Sequence, residues 1–232
     1  MITFRKSNAR GHADHGWLNA RHTFSFAESY DPVYMGFSVL RVINDDVIAP
    51  GMGFGMHPHR DMEIVTYVLE GALRHEDSMG NGSVIRAGDV QYMSAGKGVR
   101  HSEFNDSSTA PVHLLQIWVL PSQHGLMPQY GQKTIPHEEK RGRWRSIATP
   151  EGRDGSLTIQ QDASLLATVL DGDPPLQYRA EPGRRLYLHL AQGWALLNGL
   201  AMNAGDGAFI ENETLVSLTN GKQAVALLFD LP

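Results

Sequence analysis

The chain has 232 residues, 41% of them hydrophobic, with 24 glycines and 12 prolines. That is a globular, turn-rich composition, long enough for one large β domain or for two of roughly 100–120 residues each. Cysteine is absent, which excludes disulfides, iron–sulfur clusters and cysteine-ligated zinc, and a net charge of −5 argues against general nucleic-acid binding.

The opening Met1-Ile2-Thr3-Phe4-Arg5-Lys6 has no apolar export signal, and the longest apolar run, 224–229, is far short of the roughly 20 residues that span a bilayer. A cytoplasmic location without membrane contact is the expectation. His12, His15 and His22 follow in a polar stretch and read as hydrogen-bonded surface histidines. Short β-branched or aromatic segments bounded by Gly, Asn, Asp or Pro then predict strands over 37–43, 63–69, 71–77, 83–86, 89–93 and 112–120.

The segment 125–145 reads as a linker, holding Pro128, Gly131 and Pro136, with a helical turn or two over 136–145. Its basic run Lys140-Arg141-Gly142-Arg143-Trp144-Arg145 reads as a solvated stretch whose Trp144 docks on a domain. Strands resume over 157–161, 163–170, 185–190, 193–197, 207–210, 215–218 and 224–229. The expectation is an all-β protein of two tandem domains, 1–130 and 131–232.

A faint repeat relates the halves. Val68-Leu69-Glu70-Gly71 with Ala87-Gly88-Asp89 in the first resembles Leu190-Ala191-Gln192-Gly193 with Ala204-Gly205-Asp206 in the second.

Two words carry chemistry. His57-Pro58-His59 and His101-Ser102-Glu103 each put two metal-type ligands at positions i and i+2, which share one face of a strand. On facing strands the pairs would converge three imidazoles and one carboxylate on a single divalent ion, with the opposite hemisphere open to water or substrate. Pro58, lacking an N–H, belongs at a sheet edge or a bulge. Such a donor set suits Fe(II), the first choice here, and also Mn, Co, Ni, Cu or Zn. Glu63 is a rival fourth ligand, but it lies four residues beyond His59 and reaches the ion only through a bulge, so it is assigned to the pocket or to hydrogen bonds behind the ligands. Gly51-Met52-Gly53-Phe54-Gly55 imitates a dinucleotide loop, yet a His pair and not a helix follows; its glycines fit close backbone approach. Met52, Phe54, Met56, Met62 and Met93 would fill the core or line a pocket for a flat aromatic substrate.

The second half lacks the set. The positions matching His57 and His59 are Arg179 and Glu181, and those matching His101 and Glu103 fall within Leu215-Val216-Ser217-Leu218. His189, alone in an apolar strand, reads as packing.

These features resemble the cupin motifs. Gly51, His57, His59, Glu63 and Gly71 approximate the first, and Gly88, His101 and Asn105 the second, with Ser94 where proline is usual. The chain more closely resembles the pirin family of bicupins. The resemblance rests on His15-Gly16-Trp17-Leu18, His22-Thr23-Phe24-Ser25-Phe26, Leu40-Arg41-Val42-Ile43-Asn44-Asp45-Asp46, His57-Pro58-His59-Arg60, and Gln91-Tyr92-Met93-Ser94-Ala95-Gly96 through Glu103. It implies two stacked β-barrels and one metal in the first, held by His57, His59, His101 and Glu103. An open site of three imidazoles and a carboxylate leads further to the expectation that Glu103 is also the catalytic base. Bacterial members imply quercetin 2,3-dioxygenase activity on a flavonol with O2, releasing carbon monoxide. Eukaryotic members imply the alternative, an iron-binding regulator that acts through a protein partner.

Overall fold

A computed structural model describes residues 1–232. Its strands are β1 (Ile2–Arg5), β2 (Gly11–Asp14), β3 (Leu18–His22), β4 (Leu40–Ile48), β5 (Gly53–His59), β6 (Glu63–Glu70), β7 (Ala72–Asp77), β8 (Gly82–Arg86), β9 (Asp89–Ser94), β10 (Val99–Asn105), β11 (Val112–Val119) and β12 (Gln129–Thr134). A one-turn helix α1 (His137–Lys140) precedes β13 (Arg145–Thr149), β14 (Leu157–Thr158), β15 (Ser164–Leu170), β16 (Leu176–Arg179), β17 (Arg185–Leu197), β18 (Leu200–Asn203), β19 (Gly207–Ile210) and β20 (Leu215–Leu231). The protein is therefore almost wholly β, as its segment lengths and breakers predict. No helix is long and apolar enough to cross a membrane.

Two compact units form. One comprises Gly11–Thr134 and Ile159–Gln161; the other comprises Met1–Arg10, Ile135–Thr158 and Asp162–Pro232. Three short segments, 1–10, 131–134 and 159–161, thus cross the simple division at 130/131. Residues 1–10 join the C-terminal unit because β1 pairs with β19, Thr3 opposite Phe209.

In the N-terminal unit a seven-stranded sheet, β12-β9-β6-β11-β4-β3-β2, accompanies a four-stranded sheet, β5-β10-β7-β8. Leu18, Ile48, Val68, Leu73, Ile85, Val112 and Leu114 form one buried cluster drawn from both sheets. Each such side chain contributes about 1.5–3 kcal/mol by leaving water. In the C-terminal unit the core is built on β15, β17 and β20, with Leu188, Leu190, Leu197, Leu218 and Leu228 among its buried members.

Where breaker residues suggested two strands, the structure has one. Segments 185–190 and 193–197 fuse into β17, and 215–218 and 224–229 into β20. The breakers are bulges: the pairing of β17 with β20 shifts register at Leu190/Gln192, Gln192/Trp194 and Trp194/Leu196. Gly193 sits there at φ 74°, where a Cβ would come within 2.2 Å of the Gln223 carbonyl oxygen.

The internal repeat has a geometric counterpart. His101 lies opposite His57 across β10 and β5, and Leu215 lies opposite Arg179 across β20 and β16. Asp89 accepts from the Arg86 N–H and Asp206 from the Asn203 N–H, the same three-residue turn in both units.

The basic run is exposed over 141–143 and Trp144 packs on the C-terminal core, as expected; the departures are Lys140, which is buried, and Arg145, which donates to Glu139 at 2.8 Å.

Candidate metal centre

His57, His59 and His101 lie together, and Glu103 lies beside His101, on two strands that were not among those foreseen. Glycines at 51, 53, 55, 96 and 98 mask both strands in the sequence. On β10 the burial alternates, Val99, His101, Glu103 and Asn105 inward and Arg100, Ser102 and Phe104 more exposed, so His101 and Glu103 share the interior face. Strand β5 is a sheet edge, which suits Pro58. Between His101 and Glu103 the register slips from His57 to Phe54, placing one extra residue on β5. Close approach here needs glycine: a Cβ on Gly53 would lie 2.1 Å from the Glu103 carbonyl oxygen.

His57, His59 and His101 each offer a nitrogen within 4.8 Å of the others. The Nε2 atoms of His57 and His101 are 3.0 Å apart. His57 Nδ1–H donates to the Gly55 carbonyl oxygen at 2.7 Å, which fixes its tautomer and leaves Nε2 as a bare lone pair aimed at the cluster. Burial pushes the His59 imidazole down to about 4, helped by His101 and His57 and opposed by Glu103. Burial likewise pushes His101 down to about 3, with His57 and His75 adding to it and Asp77 opposing. Neutral imidazoles crowded nitrogen to nitrogen suit a cation between them. The donor chemistry therefore fits a divalent ion.

Glu103 is buried beside His101. Its oxygens accept from Gln116 Nε2 at 2.9 and 3.0 Å, and Gln116 Oε1 accepts from Thr66 Oγ1 at 3.0 Å. This chain of side chains aims the carboxylate. Gln116 and Thr66 carry no sequence signal, since only the pairing of β11 with β6 brings them together.

Glu63 points elsewhere. Fully buried, it accepts from Tyr92 Oη, from Ser94 Oγ at 2.6 Å and from the Gln160 backbone N–H at 3.0 Å. Burial first, and then the Glu63 charge, push the Tyr92 phenol well above its ordinary range, so Tyr92 stays a donor. Glu63 thus fastens 159–161 to the barrel.

A second group was not anticipated. His75, His101 and Glu103 also offer ligand atoms within 4.8 Å of one another. His75 lies opposite Glu103 and Asp77 opposite His101 on β7. Asp77 accepts from Asn81 Nδ2 and from the backbone N–H groups of Met79 and Asn81. Burial raises its carboxyl, but these bonds outweigh that and hold it below the usual carboxylate range.

The cluster opens on a cavity of about 200 Å³ lined by Leu18, Ala20, His22, Phe26, Phe54 and Trp118 among others. An outer chamber of about 650 Å³ shares several of these residues and adds His12, His15 and Trp17. His12 and His15 are exposed at this chamber, as surface histidines should be, whereas His22 is not a surface residue. His22 is buried and bonds Asn44 at 2.8 Å, because Leu18, Ala20 and His22 alternate inward along β3. Phe54 and Trp118 stand edge-on to His57 and His59. Of the soft apolar residues only Phe54 lines this cavity; Met62 and Met93 pack together, and Met52 and Met56 are exposed.

Residues 3–119 match the Pirin family model, and residues 146–231 match that of the quercetinase C-terminal cupin domain. The chain is 48% identical to a quercetin 2,3-dioxygenase of Escherichia coli K12, over all of this chain and 99% of that protein. It is 42% identical to a pirin-like protein of Caulobacter vibrioides, covering 99% of each. Among solved structures, the E. coli bacterial pirin YhhW in complex with nickel(II) matches with a TM-score of 0.95 at 48% identity, covering 100% of this chain and 99% of that one.

Proposed function

This chain belongs to the pirin family, and on that premise we propose that it is a metal-dependent dioxygenase that opens the central ring of a flavonol such as quercetin. Dioxygen supplies both oxygen atoms and one ring carbon leaves as carbon monoxide. The observation that supports this reading is the cluster of His57, His59 and His101, with Glu103 beside His101, all four lining one aromatic-walled cavity.

In this reading those four residues hold one divalent ion; iron(II) and nickel(II) both suit three imidazoles and a carboxylate. When bound, the ion supplies a Lewis acid that stabilises the oxyanion of the substrate 3-hydroxyl. Glu103, held by Gln116, accepts the 3-hydroxyl proton. Phe54, Phe26 and Trp118 flank the flat rings, and Leu18 and Ala20 keep water from the reacting face.

The test measures oxygen uptake and carbon monoxide release from quercetin by iron- and nickel-loaded protein, beside His57→Ala and Glu103→Gln. His57→Ala should lose both metal and uptake. Glu103→Gln should keep much of the metal and lose on the order of 100-fold or more in turnover, the usual scale of a general base. Uptake that survives His57→Ala would overturn the proposal.

A further inference from the structure

Two buried nitrogens at the centre belong to neighbouring rings and do not bond each other. His101 Nδ1 and His75 Nδ1 are both enclosed and without a hydrogen-bond partner, and both residues are essentially fully buried. Their rings lie 5.2 Å apart between centroids, inclined at 59°. A buried imidazole nitrogen without a partner costs about 1–3 kcal/mol, so two of them side by side call for an account.

The tautomers supply it. His75 Nε2 lies 3.5 Å from Asp77 Oδ2, a carboxylate oxygen that can only accept, so the ring hydrogen sits on Nε2 and His75 Nδ1 is a lone pair. His101 presents Nε2 to His57, whose own Nε2 is already a lone pair because its hydrogen is committed to Gly55. With the cluster empty, His101 Nε2–H can donate to His57, and its Nδ1 is then a second lone pair facing no donor. Once His101 Nε2 serves as a ligand, its hydrogen must move to Nδ1. His75 Nδ1 is then the acceptor it needs.

We propose that His75 is a positioning residue of the metal centre, accepting a hydrogen bond from His101 Nδ1–H in a line Asp77–His75–His101 that exists only when His101 is a ligand. Asp77 is anchored for this task by Met79 and Asn81. Stacking on Tyr130, at 5.2 Å and 28°, fixes the plane of the His75 ring. A metal-ligating imidazole commonly donates its second N–H to such a partner, and loss of the partner weakens metal binding about 10–100-fold. The inference rests on the metal reading above but not on the flavonol.

The alternative occupant of the gap is a second cation on His75, His101 and Glu103, and stoichiometry separates the two. Full-length protein is titrated with zinc(II), and its imidazole nitrogens are followed by 15N NMR at neutral pH. Expected are one zinc per chain, His101 passing from the Nε2–H to the Nδ1–H tautomer, and a nitrogen–nitrogen coupling between His101 and His75 in the loaded protein alone. His75→Phe should bind zinc at least about 10-fold more weakly, and His75→Asn, whose Oδ1 stands near the position of Nδ1, should recover most of that loss. Two zinc ions per chain, a His101 hydrogen that stays on Nε2, or undiminished affinity in folded His75→Phe would each overturn the proposal. Should His75→Phe not fold, the tautomer and coupling of the unmodified protein decide alone.

Discussion

Replacing Glu63 with glutamine tests whether this buried acid fastens the barrel or serves the metal. Its two oxygens take three donors: Tyr92 Oη and the Gln160 N–H on one, Ser94 Oγ on the other. Glutamine keeps the shape. Its amide group would face Ser94, whose hydroxyl can turn to accept, while its carbonyl keeps Tyr92 and Gln160. What is lost is charge: two bonds to a carboxylate, worth about 1.5–3 kcal/mol each, become neutral bonds worth about 1. The N-terminal unit should therefore lose about 2 kcal/mol, or roughly 4–8 °C in melting temperature for a chain of this size. Thermal unfolding followed by tryptophan fluorescence (Trp17 and Trp118 lie in this unit) reads the loss. Nickel content after loading and dialysis should match that of the unmodified protein. A Glu63→Gln protein that melts normally but no longer retains nickel would refute the reasoning and make Glu63 a ligand.

Two further outcomes follow from the same geometry. Gly53→Ala puts a Cβ within 2.1 Å of the Glu103 carbonyl oxygen, so β5 must draw away from β10; zinc affinity should fall at least about 10-fold with the C-terminal unit unaffected, and isothermal titration showing native affinity would contradict this. The metal-free protein should weaken on mild acidification. His59 and His101 are held at about 4 and about 3, below the 6.5 of an unfolded imidazole, so only the unfolded chain takes up their protons as pH falls. Their contribution is complete above 6.5 and declines below it, and urea midpoints of chelator-treated protein should drop between 6.5 and about 5, before carboxylates titrate. A flat midpoint across that window would count against neutral, crowded imidazoles.

The ligand set was legible because i and i+2 share a face in any strand, whatever the partner. That periodicity puts His57 with His59 and His101 with Glu103, and the three histidines lie together in the structure. The strands carrying them were not legible, because glycine serves here for close packing and bulging as well as for turns; Gly53 and Gly55 look like loop residues yet lie in β5. Register was the other blind spot. Gln116 meets Glu103 from the other sheet, and His75 comes opposite Glu103 through the pairing of β10 with β7, and no local pattern encodes either. Glu63 shows the reverse error: a charged residue near two histidines reads as chemistry, whereas three converging donors make it a fastener. His22 was misjudged because its polar neighbours hid the inward alternation with Leu18 and Ala20.

The pairing of β1 with β19 has a consequence for biogenesis. Thr3 is made 206 residues ahead of Phe209, its partner. Until β19 has been made, β1 has a free edge of the kind that invites association with other chains. Nascent polypeptides stalled before residue 207 should therefore be unusually good clients for chaperones that shield β edges, and synthesis of β19 should end that dependence.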